Sequence, residues 1–198
     1  MINAIDCCIP FMDSDTTKNL IDQLKSCSCV RNIFLLQTGG MNMNIDGVTT
    51  LSAPTFYGSA MMRTIAQNVT ADYFLFVHPK AVSLGYRALE RMCGIAQGIA
   101  PAMIYSDNYS EENGQLVKKP KIDLRWGGVR DDFDFGSVQL VSTSQLRESM
   151  EEHPDSNWTY AGWYELTLNM LRKMSQYPVL HLREYLYTKL RSEERFSR

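Results

Sequence analysis

Short apolar runs alternate with segments of helical periodicity along most of the chain, and this alternation is the strongest constraint on the fold. The runs AIDCCIPF, RNIFLLQ, YFLFVH and AMIYSD have the length and continuous apolar character of strands that are buried on both faces. Between them lie segments whose apolar residues recur at the three- and four-residue spacing of an amphipathic helix. Repeated strand–helix units of this kind predict a three-layer α/β/α fold around a mostly parallel, mixed sheet.

Local signals refine this plan. Ser14 or Asp15 is expected to cap the helix after the first strand, and Pro54 is expected near the start of the second helix. The Asn-Gly pair in EENGQ predicts a type I′ hairpin turn. Two later strands, SVQLV and PVLHL, accompany a short helix and the amphipathic helix WYELTLNMLRKM. No repeat or linker interrupts the pattern, so one domain over residues 1–198 is predicted.

Composition excludes several classes of function. The net charge of -2 and the lack of a basic face argue against nucleic-acid binding, which depends on clustered Lys and Arg. The five cysteines form no CxxC pair, so they indicate buried thiols in a reducing compartment rather than a structural zinc site. No charged leader and no run of eighteen apolar residues is present. We therefore expect a cytoplasmic protein without a membrane span.

The acidic segment RDDFDFG is the least ordinary stretch of the sequence. If it is extended, Arg130, Asp132 and Asp134 share one face, while the other face carries Asp131 and two phenylalanines that can anchor in the core. Neighbouring carboxylates disfavour each other's ionisation unless a cation or a polar ligand compensates. Arg130, a divalent metal ion or a bound ligand could each do so, and a purely structural Arg–Asp cluster is the plain alternative.

Three other polar residues are candidates for chemistry. Asp107 ends the strand AMIYSD, and the carboxyl ends of strands are where open α/β sheets bind ligands, although it could equally cap a turn. Glu165 lies among aromatic residues, where a carboxylate can act as a general base or be merely solvated. His181, in PVLHL, is expected to be a hydrogen-bonded core or rim histidine, with metal binding as a minority hypothesis.

Three longer strings resemble a known family. They are IYSDNYSEENGQLVKKPKID, RWGGVRDDFDFGSVQLVS and YAGWYELTLNMLRKMSQYPVLHLREYLYTKL. Together with the order of elements, they resemble the family 2 glycosyltransferases with their A-type nucleotide-sugar-binding fold, and in particular bacterial members that assemble surface polysaccharide. The resemblance extends, unevenly, over essentially the whole chain.

The resemblance implies transfer of a sugar from a nucleotide-sugar donor to a hydroxyl of a saccharide or lipid-linked saccharide acceptor, by single displacement with inversion. In such chemistry a carboxylate removes the acceptor's proton, while a metal ion or cationic groups stabilise the departing diphosphate. By its place in the motif, Glu165 matches the base, although the family's acidic pair could also register on Gly162 and Trp163. Such proteins can work at the inner face of the membrane.

The donor half departs most from the family pattern. Members commonly carry Asn after the first strand's Pro and aromatic residue, where this chain has Pro10 and then Asp13, and an acidic residue where it has Gln37. The family's Asp-x-Asp motif, which binds the metal ion and the diphosphate, is replaced here by the sequence His-Pro-Lys, which ends in Lys80. Lys80 could neutralise the diphosphate without a metal. Alternatively, Asp107 and the acidic segment could form a displaced Mg²⁺ or Mn²⁺ site.

These considerations assign provisional roles to twelve residues. The expected catalytic residues are Glu165, Asp132 and Asp134; the donor-binding residues are Pro10, Asp13, Gln37, Lys80 and Asp107; the acceptor-binding residues are Arg130, Asp131 and Trp163; and the metal ligands, if any, are Asp107 and His181. Because the Asp-x-Asp is missing, a catalytically degenerate domain that serves as a binding or assembly module is the alternative. A nucleotidyltransferase is disfavoured, since no Gly-rich phosphate loop follows the first strand.

Overall fold

The computed structural model of the chain describes residues 4–40, 44–125 and 133–190. In chain order its elements are β1 (Ile5–Pro10), α1 (Ser14–Ser26), β2 (Val30–Gln37), β3 (Thr49–Ser52), α2 (Ser59–Asn68), β4 (Tyr73–Val77), β5 (Val82–Leu84), α3 (Ala88–Ile99), β6 (Met103–Glu112), β7 (Gln115–Lys119), β8 (Val138–Ser142), α4 (Thr143–Glu152), α5 (Gly162–Arg172) and β9 (Val179–Lys189). None of these helices is both long enough and apolar enough to cross a bilayer.

The strands form one mixed sheet in the order β3-β2-β1-β4-β8-β6-β9-β5, with β7 paired to β6. The strands β1 to β4, β6 and β9 run in one direction, and β5, β7 and β8 run against it. The carboxyl ends of β4, β6 and β9 therefore share one edge of the sheet with the beginning of β8. Open α/β sheets bind ligands at this edge.

Two hydrophobic cores cover the two faces of the sheet. The helices α1 and α3 pack on the face that carries Cys7, and α2, α4 and α5 pack on the face that carries Cys8. Neighbouring residues of β1 thus point into different cores, which explains why every residue of this strand except Asp6 is apolar. The predicted three-layer α/β/α fold with a mostly parallel, mixed sheet is confirmed.

Several element boundaries differ from the predictions. The N-cap of α1 is Asp13, whose side chain accepts a hydrogen bond from Thr16 N at 2.8 Å, rather than Ser14 or Asp15. The helix α2 begins at Ser59, five residues after Pro54. The short strand β5 was not predicted at all. It lies at the outer edge of the sheet, where it pairs antiparallel with β9, and Leu84 N donates a hydrogen bond to Gln23 of α1.

The strands β6 and β9 are longer than predicted. The acidic segment RDDFDFG was considered as a strand, but residues 133–136, the part of it that precedes β8 in the structure, are not one. β6 continues past Asp107 to Glu112, and β9 runs to Lys189 rather than ending at Leu182. Each strand supplies the pairing that extends the other. Residues 133–136 form irregular chain before β8, so the predicted strand parity of RDDFDFG does not hold there. Gly136 adopts a positive φ of 82° at this point, where a Cβ would lie 2.5 Å from the hydroxyl of Tyr187.

Candidate functional site

A cleft of about 450 Å³ lies at the sheet edge where β4 ends and β8 begins, and we call it the central cleft. Its walls come from the segment after β4, the irregular chain before β8, the first turns of α5 and the end of β9. The lining residues are Tyr57, His78, Lys80, Phe133, Asp134, Phe135, Gly136, Ser137, Gln139, Trp163, Tyr164, Thr167 and Lys189. Lys80, Asp134 and Trp163, which were assigned to three different roles, therefore lie in one cleft.

An aromatic cluster forms the floor of the central cleft. The indole of Trp163 stacks on Phe76 with ring centroids 3.8 Å apart, and its edge meets the imidazole of His78 at 5.5 Å. The hydroxyl of Tyr57 lies 3.0 Å from Nδ1 of His78. Burial lowers the pKa of His78 to about 4, against a smaller opposing effect of Gln139, so the imidazole is neutral at pH 7. His78 therefore contributes no positive charge to the cleft.

The charged residues of the central cleft are two lysines and one carboxylate. Lys80 and Lys189 both line it, and Asp134 forms an ion pair with Nζ of Lys121 at 2.5 Å. Partial burial raises the pKa of Asp134, but the bonds from Lys121 and from the amide of Gly136 outweigh it and hold the pKa below its ordinary value. The carboxylate is ionised at neutral pH. Its described cationic partner is Lys121; Arg130, the predicted partner, lies outside the described residues, as do Asp131 and Asp132.

Glu165 lines a neighbouring cleft of about 350 Å³, which we call the lateral cleft. One oxygen, Oε1, accepts hydrogen bonds from Ser156 Oγ at 2.6 Å and from Trp158 Nε1 at 3.2 Å. The other, Oε2, is buried and has no hydrogen-bond partner among the described residues. Tyr164 lines both clefts, so the two clefts are adjacent.

The position of Gly162 leaves no space for a side chain. A Cβ there would lie 2.4 Å from Ser59 N and 2.6 Å from the carbonyl carbon of Gly58, both of them backbone atoms of the α2 start. The adjacent Trp163 is an aromatic residue that is buried against Phe76. An acidic pair at positions 162 and 163 is therefore incompatible with this packing. If the family motif registers at these positions, the chain lacks the pair, and the match of Glu165 to the base stays a prediction.

Asp107 lies inside β6 rather than at its end, and it is almost fully buried. Its Oδ1 accepts a hydrogen bond from the backbone amide of Lys121 at 2.6 Å and lies 2.8 Å from Nε2 of His181. The other ring nitrogen, Nδ1, lies 2.6 Å from Asp123 Oδ1, and the ring stacks on Tyr105. Asp107 and His181 are thus neighbours, but each is engaged with protein groups in a network that joins β6 to β9.

The residues that the structure describes do not fit a metal ion. Over residues 4–40, 44–125 and 133–190, no group of three or more His, Cys, Asp or Glu side chains is arranged to hold one. Both nitrogens of His181 already face carboxylates, and a lysine stands where the family pattern places the second Asp of its Asp-x-Asp. Asp107 and His181 therefore do not form a metal centre in this arrangement.

The remaining donor candidates lie further along the same edge. Gln37, at the end of β2, lines a small cleft of about 250 Å³ with Gly39, Gly40 and the segment after β3. Pro10 is buried at the end of β1 and pairs with Leu36, and Asp13 is exposed at the α1 cap. Neither of these two lines the central cleft, and their predicted contact with a nucleotide stays a prediction.

Sequence reasoning missed Tyr57, Lys121, Lys189 and Trp158 as site residues. Lys189 reaches the central cleft only because β9 extends to the carboxyl edge of the sheet, and no local pattern predicts that length. Lys121 follows a hairpin whose pairing fixes its position beside Asp134. The lysines between Lys118 and Lys121 are visible in the sequence, but by themselves they indicate no particular partner.

The sheet order and the cleft at the carboxyl ends of the strands define the glycosyltransferase A-type fold. The chain is similar in structure to two solved structures of TarS from S. aureus, a family 2 glycosyltransferase. The structure of TarS 1-349 superposes with a TM-score of 0.64 at 10% identity over 94% of this chain. TarS 1-349 in complex with UDP gives a TM-score of 0.62 at 11% identity over 96% of it.

The chain spans about three fifths of the length of these TarS structures. No family model matches it, and no curated protein matches it. At 10% and 11% identity the likeness establishes the fold.

Proposed function

We propose that this chain binds a nucleotide-sugar donor at the carboxyl edge of its sheet and transfers the sugar to a hydroxyl acceptor without a metal ion. The observation that carries the proposal is the pair of lysines, Lys80 and Lys189, in one cleft with the ionised Asp134. The UDP complex of TarS, whose fold is similar, supports a nucleotide diphosphate as the ligand class.

The charges of the central cleft suit a single displacement. A new bond forms between the acceptor oxygen and the anomeric carbon while the bond from that carbon to the diphosphate breaks, and Asp134 takes the acceptor's proton. Lys80 and Lys189 stabilise the charge that develops on the departing diphosphate. Attack opposite to the leaving group inverts the anomeric centre. Glu165, which lines the adjacent lateral cleft, is the second candidate for the base.

The acceptor in this proposal is a saccharide or a lipid-linked saccharide, and the role is assembly of a bacterial surface polysaccharide at the cytoplasmic side of the membrane. This part rests on the resemblance of the long strings in the C-terminal half. The exposed ring of Tyr164, which lines the central cleft, is suited to an apolar sugar face, because aromatic rings provide large, flat and rigid contact area.

The second candidate function is a nucleotide-sugar or saccharide binding module without catalysis. A register of the family's acidic pair on Gly162 and Trp163 favours it, because the chain then carries a glycine and a tryptophan in place of that pair. The two functions differ in turnover and not in binding of the donor.

Titration calorimetry with UDP, GDP and dTDP tests donor binding. We expect wild-type protein to bind one of these nucleotides equally well in EDTA and in Mn²⁺. Replacement of the cleft lysine, Lys80→Ala, should weaken binding about tenfold or more, as loss of a charge-assisted contact does. The control Lys18→Ala removes an exposed lysine of α1 and should leave the affinity unchanged.

Donor turnover separates the two candidate functions. Incubation with nucleotide sugars and a saccharide acceptor should release nucleotide from wild-type protein, and Asp134→Asn should abolish the release while nucleotide still binds. Binding without release in the wild type would favour the module. Undiminished nucleotide affinity in Lys80→Ala would refute the assignment of the diphosphate to the central cleft.

A further inference from the structure

Trp158 is an exposed aromatic residue that is nevertheless held in one place. Just over half of its surface, 55%, is open to solvent. Its indole nitrogen donates to Oε1 of Glu165 at 3.2 Å, while its backbone exchanges two hydrogen bonds with Ser59, at 2.9 Å and 3.1 Å. The ring of Trp158 is therefore both open to solvent and held in a fixed orientation.

The loop that carries Trp158 is braced against α2 along its length. The guanidinium of Arg63 donates to the carbonyl oxygen of Pro154 at 2.9 Å and also to that of Ser156. The hydroxyl of Thr55 donates to the carbonyl oxygen of Thr159. A ligand that stacks on the indole would therefore meet a preorganised surface, and little ordering entropy would oppose binding.

The lateral cleft beside Trp158 has the composition of a small-ligand site. The residues that line it are His153, Trp158, Ala161, Tyr164, Glu165, Leu168, Asn169 and Arg172. Its volume of about 350 Å³ is at the lower end of the usual range for small-molecule pockets. Its walls are mainly apolar, and a few polar groups converge on them, which is the usual arrangement in such pockets.

Glu165 supplies an unused acceptor in this cleft. Its Oε2 is buried without a hydrogen-bond partner in the described part of the chain, and buried acceptors of this kind are rarely left unsatisfied in folded proteins. A ligand hydroxyl would satisfy it. The cleft carries one anionic and one cationic side chain, Glu165 and Arg172, so it does not select a charged ligand.

We propose that the lateral cleft binds a neutral, pyranose-containing saccharide. A pyranose ring has an apolar C–H face, which can stack on the indole of Trp158, and an edge of hydroxyl groups, one of which can donate to Glu165 Oε2. This site is separate from the central cleft and does not depend on the proposed transfer reaction. Because Tyr164 lines both clefts, a saccharide of more than one ring could extend from one to the other.

The indole N–H signals in a nitrogen-15 NMR spectrum provide the test. The chain contains three tryptophans, and the signal of Trp158 is the one that disappears in Trp158→Phe. We expect this signal to shift on titration with cellobiose, maltose or diacetylchitobiose, with dissociation constants of about 1–10 mM. In Trp158→Ala, binding measured by saturation-transfer NMR should weaken tenfold or more. The variant should remain folded, because the side chain is largely exposed.

Two control variants locate the site. Tyr160→Ala removes a more exposed aromatic residue from the same loop that does not line the lateral cleft, and it should leave saccharide binding unchanged. Lys80→Ala should also leave it unchanged, because the titration contains no nucleotide. The sugar-transfer proposal can therefore be refuted while saccharide binding to the lateral cleft is confirmed. Equally, saccharide binding can be refuted while the transfer proposal is confirmed.

Two results would overturn the inference. The first is the absence of any shift of the Trp158 signal with all three disaccharides at about 50 mM, well above the expected dissociation constants. The second is saccharide affinity that is retained in Trp158→Ala but lost in Tyr160→Ala.

Discussion

A side chain at position 162 would collide with the start of α2, and replacement of Gly162 by Ala is therefore expected to destabilise the fold. The added Cβ would lie 2.4 Å from Ser59 N, about 1 Å closer than an ordinary contact. Two more backbone atoms, of Gly58 and Ser59, lie within 2.8 Å. No rotamer change can relieve a clash with backbone, so α5 or α2 must move. We expect a loss of about 2–3 kcal/mol in the free energy of unfolding, near the top of the usual range for overpacking.

The glycine at position 94, within α3, provides a matched control of opposite sign. A Cβ there meets no atom within 4 Å, and the position is exposed in the helix interior. Gly94→Ala should therefore stabilise the protein by about 0.5–1 kcal/mol, because alanine loses less backbone entropy than glycine on folding.

Urea unfolding of the two variants, followed by circular dichroism, measures both effects. The midpoint should fall for Gly162→Ala and rise for Gly94→Ala, while the dependence on urea stays constant. For a chain of this length the loss corresponds to a fall in Tm of roughly 5–10 °C. Gly162→Asp should destabilise at least as much as Gly162→Ala. A Gly162→Ala protein as stable as wild type would refute the close contact between α5 and α2, and with it the exclusion of an acidic residue from this position.

Two further predictions concern buried polar residues. The pKa of His78 is lowered to about 4, so between pH 6.5 and 4 the unfolded chain binds a proton that the folded chain does not, and stability falls as pH falls. Unfolding measured across this range should show a loss of about 3 kcal/mol in the wild type that is smaller in His78→Asn; equal losses would contradict the assignment. Asp6 is buried and accepts hydrogen bonds from Asn32, Thr70 N and Ala71 N at 2.6–2.9 Å. Asp6→Ala should therefore cost about 3 kcal/mol or more in urea unfolding, and an unchanged midpoint would contradict this.

The sequence predicted the elements that have a strong local pattern. The runs that form β1, β2 and β4 are apolar on both faces, which only a central position in a covered sheet requires. The turn at Asn113 and Gly114 was also predicted correctly, since both residues adopt the positive φ that a type I′ turn needs. These features depend on neighbours within a few residues.

The elements at the sheet edge were predicted less well, because pairing decides them. The extension of β9 to Lys189 has mixed polarity and is strand only because β5 and β6 pair with it. The prediction that Asp107 ends a strand failed for the same reason. β6 continues past Asp107 because β7 and β9 pair with its second half. Local sequence contains no information about such partners.

The candidate site follows the same division. The sequence by itself indicated that Lys80 follows β4, that Asp134 lies in an unusual acidic segment and that Glu165 lies among aromatic residues on α5. Only the tertiary structure decided which of them meet. Lys80 and Asp134 share the central cleft, whereas Glu165 lines the lateral cleft. His181 is hydrogen-bonded to Asp107. The physical reason is that local periodicity specifies which face of its own element a residue occupies. The distance between residues on different elements is fixed by strand register and by helix packing, which depend on contacts that are remote in sequence.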